Sequence, residues 1–165
     1  MNPPSLSTLS LSLEQGIAEI RLNRPDKSNA MNDAMWQEIR QAFDWVDATP
    51  EARVAILSGA GRNFCAGIDL TLLAGIQQRI AHPDAARSRE ALRRLILDLQ
   101  DCLSSIERCR KPVLAAIQGA CVGGALDLVT CCDMRYAAPD AVFSVREIDL
   151  AMVADLERGD ALGAR

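Results

Sequence analysis

Hydrophobic residues follow two kinds of spacing along the chain. Alternation with a period of two predicts strands at 6–13 and 16–22, joined by a turn at Glu14-Gln15-Gly16. Helical spacing predicts a helix from the cap Asn32 to about residue 47, and a longer helix over about 84–108. Short apolar runs predict further strands at 52–58, 113–117, 133–137 and 141–145. The longer helix carries one apolar stripe, which predicts a single buried face: Leu92, Leu95, Ile96, Leu99, Leu103 and Ile106.

The order of these elements indicates the fold class. Strands that alternate with helices are typical of an α/β fold. A chain of 165 residues has the size of a single domain with a substantial core. No repeat, linker or low-complexity segment divides it, so we expect one domain over 1–165, with a weakly patterned end at 146–165.

Charge and composition exclude several classes of function. The net charge of −4 and the scattered arginines argue against a nucleic-acid partner. No apolar run is long enough to span a membrane, and residues 1–13 lack the layout of a signal peptide, so we expect a cytoplasmic protein without a membrane partner. Six cysteines without paired CxxC spacing and a single histidine, His82, argue against a metal site. Buried free thiols are the better interpretation.

The stretch 118–127, Gln-Gly-Ala-Cys-Val-Gly-Gly-Ala-Leu-Asp, lies between a predicted strand and a predicted helix. Glycines allow a ligand to approach the backbone closely, and the start of a helix leaves N–H groups unpaired. Such groups suit an oxygen that gains negative charge, and Asp127 places a carboxylate one turn further on. A single Gly-Gly pair is more often only a helix cap, and Asp127 by itself fits a favourable partner of the helix dipole. Both interpretations stay open on this stretch alone.

A second glycine-marked turn, 64–70, leads into another predicted helix, and its sequence is Phe-Cys-Ala-Gly-Ile-Asp-Leu. Together with the blocks 24–31, 116–124 and 132–136, in this order, it resembles the crotonase superfamily of enoyl-CoA hydratases and isomerases. The resemblance covers nearly the whole chain. It implies a spiral of ββα units, assembled as a homotrimer or as a hexamer of two trimers.

The resemblance also implies roles for individual residues. It assigns an oxyanion hole to the backbone N–H groups of Ile68 and Gly124, which would stabilise an enolate oxygen. It places acids at Asp127, Glu147 and Asp155. An aspartate, a glutamate and a second aspartate at these places resemble the dienoyl-CoA isomerases, whereas a hydratase would carry glutamates at the first two. Without the resemblance, Glu147 and Asp155 fit ordinary surface acids equally well.

The dienoyl-CoA isomerases, which this set of acids resembles, convert a 3,5-dienoyl-CoA to a 2,4-dienoyl-CoA during fatty acid β-oxidation. Asp155 would remove a proton from C2, Glu147 would deliver one to C6, and Asp127 would polarise or position the pair. An acyl-CoA thioester is then the substrate and partner, with no separate cofactor and no metal. The implied CoA-binding residues are Arg24, Lys27, Ser28, Ala30, Ala66, Gly67 and Asp69.

After Asp155 the sequence departs from the family pattern. The resemblance implies that roughly the last third of a typical member is missing and that the fold is truncated at its C-terminal helices. This loss would expose apolar surface and favour association. Two alternatives to the isomerase therefore stay open. The chain could be an enoyl-CoA hydratase, or a catalytically inactive fragment that binds acyl-CoA or another partner.

Overall fold

The computed structural model describes residues 2–146. Within this range the strands are β1 (Leu9–Glu14), β2 (Ile17–Leu22), β3 (Val54–Gly59), β4 (Val113–Ile117), β5 (Ala120–Val122), β6 (Met134–Ala137) and β7 (Val142–Ser144). The helices are α1 (Asp33–Ala48), α2 (Leu70–Ile80), α3 (Ala85–Arg108) and α4 (Gly124–Thr130), with a 3-10 turn at Pro25–Lys27. The α/β class and the order of the predicted elements are confirmed.

A five-stranded sheet forms the frame, in the order β1-β2-β3-β4-β6. The first two strands are antiparallel, and the other neighbouring pairs are parallel. Gln15 and Gly16 both have positive φ, 51° and 86°, as a two-residue hairpin turn of type I′ requires. The parallel strands end at the same edge of the sheet, and the loops that follow them therefore meet there.

A second row of short extended segments follows the strands of this sheet along the chain. It consists of single bridges between Met31 and Ile68 and between Cys65 and Cys121, and of the parallel pair β5 and β7. Each unit runs from a strand of the sheet, through this row, into a helix, as in β4, β5 and α4. This is the ββα arrangement that the resemblance implied. Strand β5 was not predicted from the sequence, because three residues between glycines are too short to show a period of two.

The core lies between the sheet and the apolar face of α1. Trp36, Phe43 and Phe64 are fully buried, and each such side chain contributes about 1.5–3 kcal/mol of burial free energy. The side chain of Asn32 accepts a hydrogen bond from the Met35 N–H at 3.0 Å, so the predicted N-cap of α1 is confirmed.

Glu38 of α1 holds the start of the first strand. Its carboxylate accepts hydrogen bonds from the backbone N–H and the hydroxyl of both Ser7 and Thr8, at 2.6–2.8 Å. Burial raises the pKa of Glu38, but these hydrogen bonds lower it by more, so the pKa lies below its ordinary value.

The prediction that α3 buries one face along its whole length is only half right. Leu99, Leu103 and Ile106 in its C-terminal half are buried, whereas Leu92 and Ile96 are half-buried. With 24 residues, α3 is longer than the 16-residue α1 against which it packs. The apolar face of the first turns of α3 is therefore packed against fewer of the described residues.

Apolar side chains are exposed on β6, at the edge of the five-stranded sheet, and on β7 of the two-stranded sheet. Tyr136 of β6 is 60% exposed, and Met134, Val142 and Phe143 are also exposed. That the absence of the C-terminal helices exposes apolar surface stays a prediction. Among residues 2–146 no helix is both long and apolar enough to cross a bilayer.

Candidate active site

The turn before α2 supplies the first candidate donor, the Ile68 N–H. Gly67 has a φ of +88°, and a Cβ placed on it would lie 2.5 Å from the carbonyl oxygen of Val122. A side chain is therefore excluded both by backbone conformation and by space. The carbonyl oxygen of Gly67 accepts a hydrogen bond from the Met31 N–H at 2.8 Å. Because the carbonyl and N–H of a trans peptide point in opposite directions, the Ile68 N–H points away from Met31.

The turn before α4 supplies the second candidate donor, the Gly124 N–H. Gly123 adopts φ 55° and ψ −130°, which suits glycine, and its N–H donates to the carbonyl oxygen of Ser144 at 2.9 Å. Its own carbonyl accepts the Leu126 N–H at 2.7 Å. Gly124 is the first residue of α4, so its N–H has no acceptor within the helix.

The two turns lie against each other. The position of a Cβ on Gly67 is 3.5 Å from the Gly124 nitrogen, which places the peptide bearing the Ile68 N–H beside the second donor. No acceptor within residues 2–146 takes either N–H. Two backbone donors side by side at the start of a helix can stabilise a carbonyl oxygen that gains negative charge.

Asp127 lies beside this pair of donors, as its position in the first turn of α4 predicted. It is only 7% exposed, and its Oδ2 lies 3.9 Å from the position of a Cβ on Gly124. The same position is 3.2 Å from the Met31 methyl group and 3.8 Å from the tip of the Trp36 ring. The space beside the Gly124 donor is thus bordered by apolar atoms and by one carboxylate, which can act on protons of a substrate held there. Glu147 and Asp155 lie outside the described residues.

The residues predicted to bind CoA lie on two loops that contact each other. Ser28 accepts the Ala66 N–H at its carbonyl oxygen, at 2.9 Å, and Ala66 is exposed. Lys27 is exposed at the end of the 3-10 turn. Arg24 and Asp69 are instead paired with each other at 2.9 Å. The structure thus brings the predicted set together, and its role in binding CoA stays a prediction.

Asn29 was not assigned a role from the sequence, although it connects the loops of the site. It is fully buried in a left-handed conformation with a φ of 56°. Its side-chain nitrogen donates to the carbonyl oxygens of Ala60, Asn63 and Phe64 at 2.8–3.0 Å, and its side-chain oxygen accepts the Arg24 N–H. The sequence offered one signal for this role, an asparagine in a turn-rich loop, since asparagine tolerates positive φ.

The cysteines support the interpretation as buried thiols. Burial raises the pKa of Cys65, Cys121 and Cys132 to about 12, so these groups are neutral at physiological pH. Within residues 2–146 no cluster of three or more His, Cys, Asp or Glu side chains has the geometry to hold a metal ion.

Comparison with known proteins places this geometry in a family. The chain is 45% identical over 153 residues to the peroxisomal Δ(3,5)-Δ(2,4)-dienoyl-CoA isomerase of Arabidopsis thaliana, covering 92% of this chain and 55% of the relative. It is 43% identical to the mitochondrial enzyme of the same name from Homo sapiens, covering 88% of this chain and 44% of the relative. The chain thus spans about half the length of these relatives, and the uncovered share exceeds the third expected from the sequence.

A solved structure of similar fold is that of an enoyl-CoA hydratase/isomerase from Marinobacter aquaeolei. The two structures superimpose with a TM-score of 0.81 at 30% sequence identity, and the match covers 90% of this chain and 55% of the Marinobacter chain. The model of the family described as enoyl-CoA hydratase/isomerase matches residues 12–162. The chain belongs to the enoyl-CoA hydratase/isomerase family.

Proposed function

We propose that this chain catalyses the isomerisation of a 3,5-dienoyl-CoA to a 2,4-dienoyl-CoA. Support comes from the approach of the Ile68 and Gly124 amides to one another beside the buried Asp127. This arrangement fits a reaction that places negative charge on a thioester oxygen while protons move along the acyl chain. Relatives at 43–45% identity carry the name of this activity.

The proposed reaction is a proton transfer in two steps. A base removes a proton from C2, and the electron pair of that bond spreads along the conjugated chain onto the thioester oxygen. Reprotonation at C6 moves the double bonds from the 3,5 to the 2,4 positions, with no net change in protons or electrons. We assign the base to Asp155 and the acid to Glu147, and neither step requires a metal or redox cofactor.

The described residues contribute chiefly by stabilising charge. The Ile68 and Gly124 N–H groups hold the oxygen of the dienolate, and losing one such donor typically costs about 3–4 kcal/mol of transition-state stabilisation. We assign to Asp127, which is buried beside these donors, the role of polarising or positioning the two proton-transferring acids. Met31 and Trp36 line the apolar wall beside it.

We further propose that the CoA part of the substrate lies along the loops at 24–31 and 65–69. The exposed Lys27 is available to a phosphate, and a hydrogen bond between Ser28 and Ala66 joins the two loops. A homotrimer or hexamer in solution and a cytoplasmic location stay predictions; the relatives are named as peroxisomal and mitochondrial enzymes. Light scattering coupled to size-exclusion chromatography checks the assembly.

An ultraviolet assay tests the proposed activity. Folded protein is given 3,5-dienoyl-CoA, and the absorbance of the conjugated 2,4-dienoyl thioester is followed. We expect product from the natural chain, no product from Glu147→Gln, and a fall of about 10²-fold or more in kcat for Asp127→Asn. Asp101→Asn is the matched control, because Asp101 is a carboxylate of α3 that pairs with Arg40 and Arg108 away from the site.

The same protein distinguishes the alternatives. Hydration of a short 2-enoyl-CoA without isomerisation of the diene would reassign the site to a hydratase. Saturable binding of the product 2,4-dienoyl-CoA by folded protein, without turnover in either assay, would contradict catalysis by this chain and leave a binding role.

A further inference from the structure

The orientation of one peptide decides whether the Ile68 N–H serves as a donor. If the Gly67–Ile68 peptide rotated by half a turn, its carbonyl oxygen would occupy the place of the N–H and repel a developing negative charge. A glycine on one side of a peptide lowers the barrier to such a rotation, because Gly67 has few conformational restrictions. Contacts from the rest of the fold must therefore hold this peptide in one orientation.

The fixing contacts come from the Met31 bridge. The Met31 N–H donates to the Gly67 carbonyl at 2.8 Å, and the Met31 carbonyl accepts the Asp69 N–H at 3.0 Å. These two hydrogen bonds flank Ile68 and form the whole of an isolated bridge. An isolated bridge has no neighbouring ladder to support it, so its geometry depends on what holds its two segments together.

One side chain ties the two segments across the bridge. The Nη1 atom of Arg24 donates to the carbonyl oxygen of Ala30, just before Met31, and to Oδ2 of Asp69, just after Ile68. The other carboxylate oxygen of Asp69 accepts the N–H and the hydroxyl of Thr71 at 3.0 and 2.6 Å, which caps α2. The Arg24 and Asp69 side chains are 19% and 12% exposed, so solvent competes weakly with their pairing.

The electrostatics of the pair agree with this geometry. Hydrogen bonds from Thr71 and Arg24 lower the pKa of Asp69 to about 2, so the carboxylate stays charged at any working pH. Its charge is balanced by Arg24, and its lone pairs are occupied by the cap of α2 and by the guanidinium. Neither side chain is left as a free charge for a phosphate.

We propose that Arg24 and Asp69 are positioning residues that clamp the Met31 bridge and so hold the Ile68 N–H toward the thioester oxygen. The inference rests on the proposed function and replaces the expectation that Arg24 and Asp69 bind CoA. The two roles differ in what they predict. A phosphate contact through Arg24 affects the binding of CoA esters and is independent of Asp69, whereas a clamp affects the carbonyl environment and requires both partners.

The test compares Arg24→Met, Asp69→Asn and the double variant in the ligand-free protein and in turnover. Hydrogen exchange measured by NMR reports the Met31 N–H directly, without substrate. We expect its exchange to accelerate by about tenfold or more in each single variant and by no more in the double variant, because either change releases the same clamp. Arg24→Lys, which keeps a donor and a charge, should restore most of the protection.

In turnover of 3,5-dienoyl-CoA, we expect the single variants to lower kcat by about ten- to hundredfold with KM changed less than about threefold. Arg110→Met is the matched control, since it removes an arginine–aspartate pair with Asp47 that lies just before β4, whereas the site is built from the turns that follow the strands. It should change neither the Met31 exchange nor kcat. Unchanged exchange of the amides of β3 shows that each variant is folded.

Two results would overturn the clamp. The first is Met31 protection that survives in Arg24→Met while the amides of β3 are intact. The second is a variant that raises KM alone, with Asp69→Asn behaving as the natural chain. If the natural chain shows no turnover, the proposed function fails, but the exchange measurement still decides whether the clamp exists.

Discussion

Replacing Gly67 by alanine tests the close packing of the two turns that make up the candidate site. The backbone of Gly67 has a φ of +88°, a conformation that costs an L-residue about 1–2 kcal/mol. The new Cβ would also lie 2.5 Å from the Val122 carbonyl oxygen, a backbone atom that can yield only if the strand moves. Overpacking of this kind costs about 1–3 kcal/mol.

The two costs together predict that Gly67→Ala loses roughly 2–5 kcal/mol of unfolding free energy. The natural fold has only about 5–15 kcal/mol in total, so the loss is readily measured by urea unfolding. Any protein that folds by moving Val122 away also moves Gly124, because the two are separated by a single residue. We therefore expect the remaining folded fraction to lose most of its activity toward 3,5-dienoyl-CoA.

Gly75→Ala is the matched control for the same chemical change. Gly75 lies inside α2, where an added Cβ meets nothing within 4 Å. Alanine there should raise the unfolding free energy by about 0.5–1 kcal/mol through its higher helix propensity. The packing of the two turns would be refuted if Gly67→Ala matched the natural chain in both stability and activity while Gly75→Ala behaved as expected.

Other expected outcomes concern the frame and the thiols. Glu38→Gln should lose about 1.5–3 kcal/mol at neutral pH, because charge-assisted hydrogen bonds to Ser7 and Thr8 are weakened. The pKa of Glu38 is lowered on folding, so its contribution is present above the ordinary value of 4.5 and is lost as the pH falls through the folded pKa. Urea unfolding between pH 3 and pH 7 should show the two proteins converging in acid, and a constant gap would contradict this cause. Burial raises the pKa of three thiols, Cys65, Cys121 and Cys132, to about 12, so we expect them to resist alkylation by iodoacetamide at pH 8 until urea unfolds the chain. Peptide mass spectrometry measures the modification, and rapid modification of Cys65 in the folded protein would show that its surroundings open.

Much of the fold could be predicted from local patterns, and the failures have local causes. The apolar stripe of α1 and its Asn32 cap were visible in the sequence because both depend on residues close together in the chain. Strand β5 was missed because its pairing with β7 spans about twenty residues, whereas the segment itself is too short to show a period. The half-buried start of α3 was missed because spacing shows which face is apolar and not what covers it.

Only part of the candidate site could likewise be predicted from the sequence. Gly124 and Asp127 could be placed near each other from helical spacing, and the structure confirms that they are neighbours. The pairing of Arg24 with Asp69 could not be predicted, because 45 positions separate them and a charged side chain in a polar loop looks the same whether it faces a phosphate or a carboxylate. Asn29 was overlooked for a related reason: the carbonyl groups that accept hydrogen bonds from its side chain lie more than thirty residues away.

The proposed catalysis depends most on the Ile68 and Gly124 amides acting together on a thioester carbonyl. Infrared difference spectroscopy measures this directly, with 2,4-dienoyl-CoA carrying a ¹³C label at its carbonyl carbon and bound to folded protein. Two hydrogen bonds from these amides weaken the C=O bond, so we predict a carbonyl stretch at clearly lower frequency than in water, and a shift that shrinks in Arg24→Met while persisting in Arg110→Met. A bound thioester whose carbonyl absorbs at its aqueous frequency would contradict the oxyanion hole.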